Sequence, residues 1–255
     1  MGARSQAGGV DRMNSLHYFT GLFDSDGWIG RRQKHLRCVI ANTVPAPLIQ
    51  LHEEYGGYLY PNKPKKPQHK VCWTWEKSDT ESDSVVHKLL ALSLVKRAQL
   101  GWPTADFVMT DEYCAGIFDG DGTVSIRKRS KASGATGYHV HVVVYNMNAD
   151  LLDGLRAEFG GVVYWRTGNR HCGEWMISCR QAKTFLRRVL PFLIIKRERA
   201  ELALEAARIQ SDEAVRRYVN KNSCLVLLPE TLAKVDALKQ KMLLLNKFGP
   251  VPEAT

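Results

Sequence analysis

The sequence predicts an α+β protein built from two pseudo-symmetric αββαββα repeats, with antiparallel sheets that carry their helices on one face. Three observations lead there. A short apolar run ending in Asp-x-Asp-Gly occurs twice, as FTGLFDSDG over 19–27 and as CAGIFDGDG over 114–122. The likeness continues beyond those runs: Asp26 recurs as Asp121, Asn42 as Asn146, Gly56-Gly57 as Gly160-Gly161, Trp75 as Trp175, and the LVKR holding Lys96 as the IIKR holding Lys196. The spacing between partners drifts by a few residues, as insertions in hairpin loops would make it. Finally, strand-like segments outnumber helical ones and come in adjacent pairs, which favours hairpins over parallel crossovers.

Each half reads in the same order. A helix ends at the Asp-x-Asp-Gly, and an alternating strand follows, WIGRRQKHLR in the first half and TVSIRKRS in the second. A second strand, RCVIAN or HVHVVVYN, leads to apolar residues at helical spacing in PLIQLHEEYGG and LLDGLRAEFGG, then to two shorter strands and further helix. Thr20-Gly21 and Ala115-Gly116 put small residues inside the two apolar runs, so the motif helices are expected to pack backbone to backbone. Gly27 and Gly122 stand where a helix C-cap glycine belongs. Tyr58, Tyr60, Trp73, Trp75, Tyr164, Trp165 and Trp175 fall in strand-like runs and are assigned for the most part to packing. The expected organisation is a flexible leader over 1–13, an N-terminal half over 14–105, a C-terminal half over 106–220 and a helical tail over 221–255. In that tail Leu232, Val235, Leu238, Met242 and Leu245 recur at helical spacing.

A chain of 255 residues can bury a full core without disulfide or metal staples. Its 36 Lys and Arg against 26 Asp and Glu give a formal net charge of +10, which points to a polyanionic partner. A membrane is the weaker choice: no apolar run reaches the roughly 18 residues needed to span one, and the basic residues are spread along the chain rather than on one amphipathic helix. The six cysteines form no C-x-x-C pair and no signal-like apolar segment precedes them, so an intracellular protein with reduced thiols is expected.

The aspartates raise a chemical question. A helix C-terminus carries partial negative charge, which disfavours an acid there by roughly 0.3–1 kcal/mol, and helix packing would bring Asp26 and Asp121 together as well. Something positive should sit between them. Two carboxylates with helix-end carbonyls form a hard oxygen set that suits Mg²⁺. Counting by two from each aspartate, Trp28, Gly30, Arg32 and Lys34 share a strand face, as do Thr123, Ser125, Arg127 and Arg129, while Ile29, Val124 and Ile126 point the other way. One face is thus polar and basic. Arg32, Arg127 and Arg129, with Lys34 beside them, are candidates for bidentate contacts to guanine. The runs Pro61–Lys70 and Arg127–Gly134 read as hairpin tips that touch backbone phosphate. A positive sheet surface with one divalent-metal site on a pseudo-twofold axis fits phosphodiester hydrolysis on duplex nucleic acid, and the divergence of the halves permits an asymmetric target.

On FTGLFDSDG and CAGIFDGDG, with the same strand pattern after each, the chain resembles the LAGLIDADG homing endonucleases of the single-chain, two-motif class, over residues 14 to 220. The resemblance implies motif helices at a central interface and sheets forming a DNA-binding saddle. It also implies cleavage of both strands of a long duplex site across the minor groove, leaving short 3′ overhangs. Asp26 and Asp121 would be the metal ligands, with backbone carbonyls lent by Ser25 and Gly120. Lys96 and Lys196 would contact the active-site waters, which Asn42 and Asn146, placed where this family often has Gln, would help to order. Mg²⁺ is the implied cofactor, with Mn²⁺ able to substitute and Ca²⁺ binding without supporting cleavage; the implied partner is double-stranded DNA, bound by a monomer. Alternatives stay open. The lysines also suit solvated helix positions or phosphate clamps, and the asparagines suit turn or N-cap positions. At the level of function, an intron-splicing maturase that binds RNA and a non-cleaving DNA-binding protein on the same fold are the rivals. The acids present in both copies favour the nuclease.

Overall fold

The computed structural model describes residues 10–32, 35–64, 66, 69–79, 84–130, 136–166, 172–212, 214–219 and 222–248. Its contacts group into two units: Met1–Gly122 with Asn146–Gly154 and Phe192–Ile195, and Thr123–Tyr145 with Leu155–Pro191 and Lys196–Thr255.

The first unit runs α1 (Val10–Asp26), β1 (Gly27–Arg32), β2 (His35–Asn42), α2 (Ala46–Tyr55), β3 (Tyr58–Asn62), β4 (Cys72–Asp79), α3 (Val85–Leu92), α4 (Val95–Gln99) and α5 (Asp111–Asp121). The strands form an antiparallel sheet in the order β1-β2-β4-β3. The first strand is shorter than the WIGRRQKHLR expected for it: it ends at Arg32, and His35–Arg37 already belong to β2, where Leu36 begins the buried alternation. Local chemistry sets the helix ends. Ser84 and Thr110 cap α3 and α5 by accepting from His87 N–H and Tyr113 N–H. α2 stops at Gly56 (φ 69°), and Gly57 (φ 98°) carries the chain into β3, conformations that suit glycine alone. The buried Trp75 on β4 locks this corner, its indole N–H donating to Gly56 O at 2.8 Å. Trp175 does the same to Gly160 at 2.9 Å in the other repeat, which explains why a Gly-Gly and a Trp recur together.

The motif helices α1 and α5 pack at van der Waals distance between backbones. A methyl group at Gly21 would lie 2.1 Å from Tyr113 O and 2.8 Å from Ile117 N, and one at Gly116 would lie 2.0 Å from Tyr18 O and 2.6 Å from Leu22 N. Only glycine fits on either side. Phe19, Leu22, Phe23, Ile117 and Phe118 are buried around this contact. Gly122 takes the C-cap position of α5, as expected, but with φ −85°, in extended rather than left-handed backbone. Glycine is required there by space, because a methyl group would meet the Phe118 ring at 2.1 Å; at Gly27 the Phe23 ring stands at 2.3 Å.

The second unit takes up β5 (Gly122–Ser130), β6 (Thr136–Asn146), the end of α6 (Ala149–Phe159), β7 (Val162–Trp165), β8 (Gly173–Ser178), α7 (Cys179–Val189), α8 (Arg197–Asp212), a hairpin of β9 (Ala214–Val219) and β10 (Asn222–Leu227), and α9 (Pro229–Phe248). Its four-stranded antiparallel sheet has the order β5-β6-β8-β7, the same as in the first unit. Phe159, Trp175 and Phe185 meet edge-on or tilted under it. Residues 222–227, inside the segment expected to be helical, are strand; their apolar CLVL run pairs with 214–217. The helix that follows packs on α8, burying Val235, Met242 and Leu245. Arg199 donates to Leu245 O at 2.8 Å, Lys241 pairs with Glu198 at 2.9 Å, and Asn246 donates to Val124 O at 3.4 Å. Among the described residues no helix is long and apolar enough to cross a membrane.

The glycine contact yields a test. Gly116→Ala should destabilise by about 3 kcal/mol, since backbone must move to admit the methyl group. Gly137→Ala, where a methyl group meets nothing within 4 Å, should stay within about 0.5 kcal/mol of the parent. Urea denaturation of both variants measures the difference.

Candidate active site

The first unit assembles the site at the C-terminal ends of α1 and α5. Asp26 closes α1 and Asp121 closes α5, both half-buried. A methyl group at Gly120 would lie 3.3 Å from Asp26 Cγ and 2.0 Å from Ser25 Oγ, so the end of one motif rests directly on the end of the other. Ser25 turns its hydroxyl back into α1, donating to Gly21 O at 3.1 Å and Leu22 O at 3.0 Å.

Each aspartate receives the same neighbour. Asn42, the last residue of β2, donates from Nδ2 to Asp26 Oδ2 at 2.7 Å, and Asn146, the last of β6, donates to Asp121 Oδ2 at 2.8 Å. Their carbonyl oxygens accept from Val44 N–H at 2.8 Å and Asn148 N–H at 2.9 Å, an Asx turn that fixes the amide. These asparagines thus make the turn the sequence allowed for and donate to the motif aspartates as well.

Lys96 lies on α4 and is only 5% exposed. Burial, its largest influence, pushes the Lys96 ammonium below its ordinary value, while Asp24, Asp121, Cys38 and Asp26 act to raise it. The Nζ lies 5.9 Å from the centroid of the Phe23 ring. Lys196 directly precedes α8 in the second unit, half-buried, with its carbonyl accepting from Ala200 N–H at 3.0 Å.

A second pair of aspartates, unnoticed in the sequence, holds this arrangement in place. Asp24 and Asp119 stand two residues before Asp26 and Asp121 and are each 1% exposed. Asp24 accepts from Ser93 Oγ (2.5 Å), from the N–H groups of Leu94 (2.9 Å), Val95 (3.1 Å) and Lys96 (3.1 Å), and from Tyr113 OH (2.7 Å). It thus satisfies the open end of α4 and anchors the segment that delivers Lys96. Asp119 accepts from Ile194 N–H (2.8 Å), Ile195 N–H (2.9 Å) and Tyr18 OH (2.8 Å), holding the residues just before Lys196. The phenols cross over: each motif's tyrosine serves the other motif's acid. Burial first, then the facing carboxylate, raises both tyrosines well above their ordinary pKa, so they remain hydroxyl donors. The signal was present in the sequence as Tyr-x5-Asp in both copies, Tyr18 with Asp24 and Tyr113 with Asp119.

The strand faces follow the alternation expected. In the first unit Trp28 is 55% exposed and Ile29 buried, and the indole of Trp28 lies across Gly30, where a methyl group would meet it at 2.1 Å. Lys34 and the side chain of Arg32 lie outside the described residues, as do 65, 67, 68 and 131–134 of the two expected hairpin tips. In the second unit Thr123 and Ser125 are half-buried and Arg127 and Arg129 exposed, opposite the buried Val124 and Ile126; Arg127 Nε donates to Ser125 Oγ at 3.3 Å. Lys128, on the other face, pairs with Asp236 of α9 at 3.8 Å. The assignment of the aromatics to packing holds for Trp75 and Trp175 and fails for Tyr58, Tyr60, Tyr164 and Trp165, which are exposed. These four lie on β3 and β7, the outer strands of their sheets, where little covers them.

The chain has the fold of the LAGLIDADG homing endonucleases. Its structural neighbours include the meganuclease I-SmaMI bound to uncleaveable DNA, with a TM-score of 0.61 at 12% identity over 89% of this chain and 98% of that one. The LAGLIDADG meganuclease I-AabMI bound to uncleaved DNA gives 0.61 at 13% identity over 89% and 98%, and I-SmaMI bound to uncleaved DNA in the presence of calcium ions gives 0.58 at 13% over the same shares. No protein-family model matches the sequence, and no curated protein matches it significantly.

Two predictions separate the acids and the lysine. Asp26→Asn should leave the melting temperature equal or higher, since it relieves repulsion at the helix ends, whereas Asp24→Ala should cost on the order of 3 kcal/mol or more by stranding buried donors; thermal denaturation distinguishes them. For Lys96 the folded pKa is depressed, so the unfolded chain binds more protons up to the ordinary value of 10.5 and stability rises with pH through that window. Lys96→Met should therefore be more stable than the parent at neutral pH, and the gap should narrow as pH approaches 10.5 in a pH series of urea melts.

Proposed function

We propose that this chain is a site-specific homing endonuclease that hydrolyses both strands of a long asymmetric duplex DNA with a divalent metal, acting as a monomer and leaving short 3′ overhangs. The observation that carries the reading is the pair Asp26 and Asp121, one from each repeat, at the joined ends of α1 and α5 with one asparagine on each and the buried Lys96 beside them. The likeness of fold to proteins whose structures hold DNA supports it.

The residues fit Mg²⁺. Among the described residues no three His, Cys, Asp or Glu gather as a metal cluster, so the donor set is two carboxylates completed by the backbone carbonyls of Ser25 and Gly120 and by water, the hard and sparse set this ion prefers. Bound there, Mg²⁺ or Mn²⁺ supplies polarisation of the scissile phosphate and ionisation of a water, and Ca²⁺ supplies binding without turnover. The protein's own groups do the rest. Asn42 and Asn146 each donate to one oxygen of an aspartate and so orient the carboxylate, which would serve as a ligand to the metal. Lys96, held by Asp24, and Lys196, led in by the segment on Asp119, stabilise charge on the phosphate and order the attacking water. Trp28, Gly30, Thr123, Ser125, Arg127 and Arg129 lie on the strand faces assigned to DNA, and the alternation of the sequence adds Arg32 and Lys34 to the DNA-binding set.

The test is cleavage of a large randomised duplex library in Mg²⁺ and in Ca²⁺, with the Asp26→Asn, Asp121→Asn double variant alongside. We expect one long asymmetric site cut in Mg²⁺ by the unmodified protein alone. Specific binding without cleavage would overturn the nuclease and leave a regulator, and selection of structured intron RNA in place of DNA would install the maturase.

A further inference from the structure

The exposed face of the first unit's sheet carries a cluster that neither the metal centre nor the sequence motifs use. Arg37 on β2 faces Glu76 on β4: its Nε donates to Oε1 and its Nη2 to Oε2, each at 2.6 Å. Tyr60 on β3 donates from its hydroxyl to the same Oε2 at 3.2 Å. On the other side the guanidinium lies 6.0 Å from the Trp28 ring, which reaches it because Trp28 lies over Gly30 and Gly30 is the register partner of Arg37. Three strands thus hold one arginine between a carboxylate and an aromatic face.

A guanidinium has two forks. Glu76 takes the side fork, Nε with Nη2, and leaves the end fork, Nη1 with the outer hydrogen of Nη2, pointing away from the pair. That end fork presents two parallel N–H groups of the kind that bind O6 and N7 of guanine in the major groove. From this geometry we infer that Arg37 is a specificity-determining residue that reads a single guanine, with Glu76 and Trp28 as positioning residues; the inference rests on the DNA-binding reading above. The acid argues for a base rather than a phosphate. On a chain of net charge +10 a phosphate clamp gains nothing from a carboxylate beside it, whereas a base reader gains a fixed orientation. The Arg37 hydrogen bonds hold Glu76 below the ordinary carboxylate range, so the clamp stays charged at neutral pH. By the pairings Asn42 with Asn146 and Trp75 with Trp175, the matching positions of the other repeat hold His141 and Met176. That repeat pairs a different arginine, Arg166, with Glu174 beside Tyr145, so Arg37 should read its guanine independently of the other half.

The experiment is binding selection from the randomised duplex library in Ca²⁺, read as base preference at every position, for the unmodified chain and for Arg37→Lys, Arg37→Ala and Glu76→Gln, with a melting curve for each. We expect one guanine whose preference falls about ten-fold or more in both Arg37 variants. Lysine fails there because it keeps the charge but lacks the fork. Glu76→Gln should weaken the same position, with other positions and the melting temperature unchanged. An unaltered profile overturns the inference and spares the function, and so does a uniform loss of affinity over all sequences, which marks a phosphate contact. If the unmodified chain selects no duplex, the function fails and the inference with it. Should Arg37→Ala fail to fold, Arg37→Lys and Glu76→Gln still decide.

Discussion

The backbone contact between α1 and α5 at Gly21 and Gly116 is the constraint on which the site depends. Once two helices touch through carbonyl and amide atoms, neither can slide or rotate without a clash, so the register of one motif against the other is fixed. That register brings Tyr18 to Asp119 and Tyr113 to Asp24, and it sets Gly120 against Ser25 and Asp26. The acids at the two helix ends are placed by a contact that contains no charge at all.

Within this frame the four motif aspartates divide by environment. Asp24 and Asp119 are fully enclosed and spend their oxygens on N–H and O–H donors, as buried charges must. Asp26 and Asp121, two residues further on and half-buried, keep part of their surface open. One residue type at two places in a single turn thus serves as a girder in one case and stands half-exposed at the helix end in the other. Helix geometry makes the difference, since two residues advance the side chain by about 200°, to the opposite face of the helix.

Much of the fold was legible because duplication doubled every weak signal. One Asp-Gly turn or one Gly-Gly pair says little, but Gly56-Gly57 with Trp75, repeated as Gly160-Gly161 with Trp175, marks a corner that the structure closes with the same indole hydrogen bond. Asn42 and Asn146 were found in the same way. What stayed hidden lacked either repetition or a pattern of its own. The β9–β10 hairpin has no partner in the first half, and Arg37 with Glu76 is a cross-strand pair whose two members lie far apart in sequence. The exposure of Tyr58 and Tyr60 is not legible because aromatic residues are enriched in strands generally, and composition alone does not separate a covered strand from an outer one. Asp24 and Asp119 also repeat, but nothing in the spacing of the motif separates an enclosed acid from its half-buried neighbour.

Tyr18, Gly21 and Asp24 follow one another at steps of three, and so do Tyr113, Gly116 and Asp119. Each helix therefore bears both the knob and the socket of the joint: the phenol it gives and the carboxylate that receives one. Such a surface is its own complement: a mate needs the same three residues at the same pitch, set in an apolar surround of the same kind. Halves with unrelated outer sheets can be joined through it, which leaves the surface facing the ligand free to drift, be exchanged or be redesigned while the joint stays closed.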